Sequence, residues 1–464
     1  MRRVADVVSV VRLISIALFI LALILFWKMC REPGQHADST RMTPIHIKYR
    51  AGMMRLSSVE GSEARPLFRR AYRSAVGYDD PRARWVIVEV PAQRTNAVLA
   101  HLANDSAIET AFVPPTVTLP TVLVPRPADD DSCPIHTPSF ESNQGYLGPA
   151  PYGIDAPAAW RRGVLGQGIW FADIEGGWNG KHEDLPGDRI THVAGEPIND
   201  RMWRAHGTAV LGEVVGLDNG KGVVGSAPAV ERVFTASIGG IPTAEAIDEA
   251  AEHLRAGDVL LIELQGGGPR GRYLPMEYWD DNFDAIAAAT ARGVVVIEAA
   301  GNGAENLDHK TYKGKLSRDG RDSGAIMVGA GGPPHEGFDD RERLDFSNYG
   351  SRVDVQGWGR KVTTLDYGDL QTCAGAERDY VDRDYTGEFG GTSSASPIVA
   401  GAAILLESYA KQHGRVLTPH EVRDILRHTG SPQLGNTKQN IGPRPDLSRA
   451  LLRVQRYADE QAAH

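Results

Sequence analysis

Residues 390–408 read GGTSSASPIVAGAAILLES, three serines within four positions followed by an alanine- and leucine-rich run of helical character. Proline is tolerated in a first helical turn, where its missing N–H is not needed, so a helix is expected to begin just before Pro397 with Ser393 at its mouth. Free N–H groups and the positive end of the helix dipole favour developing negative charge there, which suits a nucleophile. The segment fits equally a plain cap made by Thr392, Ser393 or Ser396. Three other stretches supply complementary chemistry. FADIEGG ends an apolar run with Asp173, a charge that is costly to bury without a partner. RAHGTAVLGEVVG sets His206 at the start of a helix, with Gly207 allowing close backbone approach, and AAGNG sets Asn302 just past another apolar run. Acyl transfer requires these four groups: a serine attacks, an imidazole takes its proton, a carboxylate fixes the imidazole, and an amide donates to the oxyanion.

The elements that must position these groups can be read from hydrophobic runs. From about Gly153 the chain alternates strands (Gly168–Glu175, Val230–Ile238, Asp258–Leu264, Val294–Gly301) with helices (Ala244–Leu254, Phe283–Gly293). Near-continuous β-branched runs indicate strands buried on both faces, hence a mostly parallel sheet between helices, with sites gathering at the strand carboxyl ends. Upstream, strands Ile45–Arg50, Trp85–Pro91 and Ile108–Pro115 with helices Ala64–Ser74 and Arg94–Asn104 describe a small ferredoxin-like α/β unit over 42–118. The proline-rich and acidic stretch after it is expected to be an exposed linker, 119–151, before a larger domain over 152–464. Near the end, Thr418 and Glu421 form a capping box with Pro419 at the first helical position, and Asp446–Gln461 reads as a packing helix.

With 464 residues the chain exceeds one ordinary core, and its 42% hydrophobic and 23% charged content is that of a globular protein. A net charge of −9 without a basic cluster argues against a nucleic-acid partner. Residues 1–31 differ from the rest: Leu13–Trp27 carries no charge and is flanked by Arg2, Arg3, Arg12, Lys28 and Arg31. Such a pattern is an export segment, read as an uncleaved single-pass membrane anchor in preference to a removed signal because no small-residue cleavage site follows. The bulk of the chain is therefore expected outside the cytoplasm, anchored or secreted, where Cys133 and Cys373 either pair or remain lone thiols.

From about Tyr152 onward the chain resembles the subtilisin-like serine peptidases. HGTAVLGEVVG is similar to that family's histidine motif, AAGNG to its oxyanion motif and GTSSASPIVAGAA to its serine motif, in the family's order. The resemblance implies a three-layer α/β peptidase that hydrolyses peptide bonds through an acyl-enzyme, acts on protein or peptide substrates and needs no cofactor for catalysis. It assigns Asp173, His206 and Ser393 to a triad, Asn302 to the oxyanion, and Gly266, Ala300 and Gly301 to the bound peptide. Ser394 and Ser396 are read as structural. The family's acid motif runs D-S-G or D-T-G, whereas Ile174 and Glu175 separate Asp173 from Gly176. Glu175 is thereby left without a role.

HEDL (182–185) resembles the family's H-P-D-L, which implies a structural calcium ion held by Asp184 and Asn219 with carbonyls of Leu217, Lys221 and Val223; a plain turn is the alternative. Glu263 and Glu298 interrupt apolar strands, either lining a pocket for basic side chains, sharing protons with Glu175, or resting on backbone N–H groups. The small N-terminal unit is similar to the propeptides of such enzymes, which cover the cleft until cleaved. A non-catalytic binding protein on the same scaffold is the competing reading.

Overall fold

The computed structural model describes residues 41–53, 57–59, 61–74, 80–121, 133–373 and 382–462. The expected anchor at Leu13–Trp27 lies outside them. Among the described residues no helix is long and apolar enough to cross a membrane.

The N-terminal unit comprises β1 (Met42–Tyr49), β2 (Ser58–Val59), β3 (Ser62–Pro66), α1 (Arg69–Ser74), β4 (Trp85–Pro91), α2 (Thr95–Leu102) and β5 (Ile108–Phe112). Its strands form one antiparallel sheet in the order β2-β3-β4-β1-β5. The helix expected over Ala64–Ser74 starts only at Arg69, because Ala64, Arg65 and Pro66 pair with Val88, Ile87 and Val86. A hairpin thus stands where a βαββαβ unit would carry its first crossover helix.

The stretch expected to be an exposed linker divides into parts with different fates. Val117–Thr118 form β6, which joins a three-stranded antiparallel sheet with β11 and β12, described below. Cys133 bonds to Cys373 with their Cα atoms 4.5 Å apart, so the thiols pair across 240 residues. Beyond it, Tyr146 and Leu147 are buried in the main core.

The large domain continues through α3 (Ala156–Trp160), β7 (Trp170–Glu175), β8 (Ile190–Ala194), α4 (Arg201–Val215), β9 (Arg232–Ser237), α5 (Thr243–Ala251), β10 (Val259–Ile262), β11 (Gln265–Gly267) and β12 (Tyr273–Pro275). Then come α6 (Asp280–Ala291), β13 (Val295–Ala299), β14 (Ile326–Gly331), β15 (Val355–Trp358), β16 (Val362–Leu365), β17 (Tyr385–Phe389), α7 (Thr392–Gln412), α8 (Pro419–Thr429) and α9 (Leu447–Ala462). Seven strands form a parallel sheet in the order β15-β14-β13-β10-β7-β9-β8. Alternation along each strand divides its side chains between two cores. Phe171, Leu261, Ile297 and Val328 pack toward α4, α7 and α9, while Ile174, Leu260, Val296 and Phe234 pack toward α5 and α6. This is the expected three-layer α/β architecture. The capping box at Thr418 and Glu421 is formed as read, and α9 buries Ala450, Leu451 and Val454.

The N-terminal unit rests on α5 and α6 through charge as well as apolar contact. His46 Nδ1 lies 2.7 Å from Asp281 Oδ2, and Lys48 Nζ 2.8 Å from Asp284, which also accepts from Trp85 Nε1 at 2.7 Å. Arg82 reaches Asp248 at 2.5 Å. Leu67, Phe68 and Trp85 join the core that contains Ala285 and Ile286. Because one buried partner is left alone when the other is removed, Asp281→Ala should loosen this unit. In full-length Ser393→Ala protein, limited trypsin digestion is expected to remove residues 41–121 several-fold faster in the Asp281→Ala variant, with the main melting transition of the large domain retained.

Candidate active site

Asp200 begins α4, its side chain accepting from the N–H groups of Met202 and Trp203. This cap lies six residues before His206, so the histidine occupies the second turn rather than the helix start expected from sequence. It is fully buried. Its Nδ1 pairs with Glu175 Oε1, and Glu175 Oε2 accepts the Gly176 N–H at 3.2 Å. The ring lies edge-on to Phe389, with centroids 5.5 Å apart.

The carboxylate beside His206 is therefore Glu175, which corrects the expectation for Asp173. Asp173 and Glu175 are two apart on β7 and share a face, but Asp173 Oδ2 instead accepts from Trp178 Nε1 at 2.7 Å. The signal was present in the sequence. An acid two residues before a glycine is the spacing of D-S-G, and Glu175-Gly176-Gly177 keeps it while Asp173 does not. Burial pushes the carboxyl groups of both Asp173 and Glu175 well above the ordinary range, with their mutual repulsion adding to the shift at Asp173. Burial equally pushes the His206 imidazole below its ordinary value.

Helix α7 starts at Thr392, not at Pro397, so Ser393 is its second residue. Pro397 sits in the second turn, where it lacks the N–H that would bond the Ser393 carbonyl. The other serines are consumed structurally: Ser394 Oγ donates to Trp358 O at 2.9 Å, and Ser396 Oγ to Glu263 Oε1 at 2.6 Å. Small residues bring the helix close to the sheet, since a methyl group on Gly357 would fall 2.3 Å from Ala395 O. Asn302 is tied to the same helix mouth, its Oδ1 accepting from Thr392 N and Thr392 Oγ1 at 3.0 Å each. Its amide nitrogen is thereby turned away from Thr392. Among the described residues Ser393 Oγ, His206 Nε2 and Asn302 Nδ2 are all buried without a hydrogen-bond partner.

Against the start of α7 and β11 lies the chain's own segment 115–121. In β6, Thr118 pairs with Gln265 and Val117 with Gly266 of β11, antiparallel. Beyond β6, Gln265 Nε2 donates to Leu119 O at 2.9 Å, Ser393 N donates to Pro120 O at 3.3 Å, and Thr121 bridges to Gly391. Gly391 has φ +115°, and a methyl group there would fall 2.2 Å from Pro120 O, 2.8 Å from Thr121 Cα and 3.1 Å from Asn302 Nδ2. The Pro120 carbonyl, the Ser393 N–H and the Asn302 amide thus surround one point. Sequence reasoning missed this seating, because polar and proline-rich residues read as linker. Of the residues expected along a bound peptide, Gly266 pairs with the segment. Ala300 and Gly301 are held from behind, Ala300 O by Asn348 Nδ2 at 2.7 Å and Gly301 N by Thr392 Oγ1 at 3.2 Å.

Neither strand glutamate reaches this cleft. Glu263 is buried beneath α7 on Ser396, whereas Glu298 faces the α6 side and accepts the Glu277 N–H at 2.8 Å. A pocket for basic side chains built on either is ruled out by that placement, and Glu298 lies across the sheet from Glu175. The residues expected to hold calcium stand together at one loop. Asp184 Oδ1 accepts from Asn219 Nδ2 and Oδ2 from Val223 N, both at 2.8 Å, while the Lys221 ammonium stands 2.8 Å from Glu183. Each carboxylate oxygen accepts one N–H, and burial pushes the Asp184 carboxyl up to about 7. These bonds close the loop as a turn. Among the described residues no cluster of three or more His, Cys, Asp or Glu is placed to hold a metal ion.

Comparison with known proteins decides the family. The model described as "Subtilase family" matches residues 179–444. The chain belongs to the subtilase family. It is 30% identical over 293 residues to subtilisin Savinase of Lederbergia lenta, covering 62% of this chain and 93% of that protein. It is 26% identical to a protein of Dichelobacter nodosus named extracellular basic protease, over 77% of this chain and 60% of that one. The fold is similar to a solved Staphylococcus aureus serine protease described as processing the epidermin leader peptide, with TM-score 0.58, 17% identity, and coverage of 89% of this chain and 98% of that chain. It is also similar to fervidolysin from Fervidobacterium pennivorans, with TM-score 0.56, 20% identity, and coverage of 89% of this chain and 61% of that one. The protein is a subtilisin-like serine peptidase, a hydrolase.

Two measurements test the site as described. Glu175→Gln keeps the shape but removes the charge that holds the imidazole, so kcat should fall about a thousandfold or more, whereas Asp173→Asn should cost about tenfold or less. The reverse ranking in peptide hydrolysis would return Asp173 to the triad. For the Asp184 turn, EDTA is expected to leave the melting temperature unchanged, and a drop reversed by added calcium would refute the turn assignment.

Proposed function

We propose that Ser393 is the nucleophile of an endopeptidase in which His206 is the general base and Glu175 orients the imidazole through Nδ1. In this reading the Asn302 amide and the Ser393 N–H form the oxyanion site. Ser393 Oγ loses its proton to His206 Nε2 as it attacks a peptide carbonyl; the imidazolium formed is stabilised by Glu175 and returns the proton to the departing amine. The two N–H donors stabilise negative charge on the carbonyl oxygen, in a site where water is displaced by the bound chain. The observation that carries the reading is the Pro120 carbonyl seated on the Ser393 N–H beside the Asn302 amide, with Ser393 Oγ, His206 Nε2 and Asn302 Nδ2 each buried and unpartnered among the described residues. Buried polar atoms without partners are costly, and an attacking serine, a proton acceptor and an oxyanion donor are what would give these three a use.

The same geometry supports a propeptide-like role for residues 42–121, which would hold the peptidase inactive until removed. The substrates would be proteins or peptides bound as an added strand on β11. An extracytoplasmic location is supported by the paired cysteines, by the apolar run near the N-terminus and by the relative named as extracellular. Whether the chain is anchored or secreted rests on residues 13–27.

A fluorophosphonate probe should label protein freed of residues 42–121 and leave the Ser393→Ala variant, freed in the same way, unlabelled. Equal labelling of Ser393→Ala would assign the nucleophile elsewhere. No labelling of the uncovered wild type would favour a non-catalytic binding protein on this scaffold.

A further inference from the structure

The segment in the cleft presents one unusual residue at the reacting position. Pro120 places its carbonyl on the Ser393 N–H, with Leu119 before it and Thr121 after it. A proline has no N–H. A chain added to β11 in the antiparallel manner would ordinarily donate a hydrogen bond from the residue at this place, and a cleft suited to proline must fix the chain there by other means. Gln265 supplies one. Its Nε2 donates to Leu119 O, the carbonyl of the imide bond preceding Pro120, at 2.9 Å, and its Oε1 accepts the Asn302 N–H at 2.8 Å. Only 3% of Gln265 is exposed. One buried side-chain amide therefore ties the Leu119–Pro120 linkage to the backbone of Asn302, whose own amide lies, like the Pro120 carbonyl, beside Gly391. On the other side Thr121 Oγ1 donates to Gly390 O at 3.0 Å, so the chain is gripped on both flanks of the Pro120–Thr121 bond.

Resting on the peptidase reading above, we propose that this enzyme cleaves after proline, that Pro120–Thr121 is the first bond it cuts, and that Gln265 is a specificity-determining residue for the imide. Ser393 Oγ adds to the Pro120 carbonyl carbon and passes its proton to His206. The C–N bond to Thr121 breaks and Thr121 leaves as an amine carrying that proton. Water then hydrolyses the prolyl ester on Ser393, yielding a Pro120 carboxylate and regenerating the serine hydroxyl. Peptides taken in trans should resemble the segment, with Val-Thr-Leu-Pro on the acyl side.

The test uses full-length wild type and Ser393→Ala, intact mass and N-terminal sequencing, fluorophosphonate labelling, and coumarin amides of Val-Thr-Leu-Pro, Val-Thr-Leu-Ala and Val-Thr-Leu-Lys. Expected are a new N-terminus at Thr121 in wild type only and at least a tenfold higher kcat/KM for the prolyl amide than for the other two. Gln265→Leu should lower that preference about tenfold or more by reducing turnover of the prolyl amide, with Gln265→Glu, which keeps an acceptor but loses the donor, behaving likewise. Protein that labels with the probe yet starts at another residue, remains uncut, or prefers the alanyl or lysyl amide overturns the proposal while leaving the peptidase reading intact. Absence of probe labelling after removal of residues 42–121 by an added protease is the separate failure of that reading. An undiminished prolyl preference in Gln265→Leu removes Gln265 from the assignment.

Discussion

The constraint on which the site depends is the burial of two acids on one face of a central strand. Asp173 and Glu175 end β7 with no exposure, and carboxylates in such a place are tolerated only with dedicated donors. Trp178 serves the first and His206 the second. That division of partners fixes the tryptophan, the histidine-bearing helix and the strand end relative to each other. Exchange of partners would require Trp178 to move from its contact with Gly207, where a methyl group would fall 2.7 Å from the indole Cδ1. The imidazole orientation is thus a consequence of packing as much as of charge.

A second layer of organisation comes from the chain acting on itself. Its cleft is filled by residues that also continue the edge of a small antiparallel sheet, so the covering strand is held by backbone pairing and by the charged face that joins the N-terminal unit to α5 and α6. Affinity is therefore spread over two places far apart on the surface, and an intramolecular partner needs little at either one.

Much of this was legible in the sequence. Buried parallel strands announce themselves through β-branched runs, and the order of β7, β9, β10 and β13 was read within a few residues at each end. The histidine, asparagine and serine stood in motifs whose glycines and small residues have a steric cause. What could not be read has physical reasons. The choice between Asp173 and Glu175 turns on which acid faces the imidazole, and two positions of the same strand face carry no difference in hydropathy; only the spacing to Gly177 separates them. Residues 115–121 have no apolar periodicity because their binding is through backbone groups, which composition does not report. The start of α7 was misplaced because Gly391, in a left-handed conformation that glycine favours, turns the chain into the helix five residues before Pro397 would require.

The bond between Cys133 and Cys373 gives the covering strand an asymmetric fate. Were the chain cut between Pro120 and Thr121, everything upstream would be free to diffuse once its contacts open, but the new amino end would remain joined to the large domain at Cys133, twelve residues on, a span of at most about 40 Å. An end confined within that span stays near the groove it has left. Incoming polypeptides would have to outcompete a permanently attached rival on the leaving-group side.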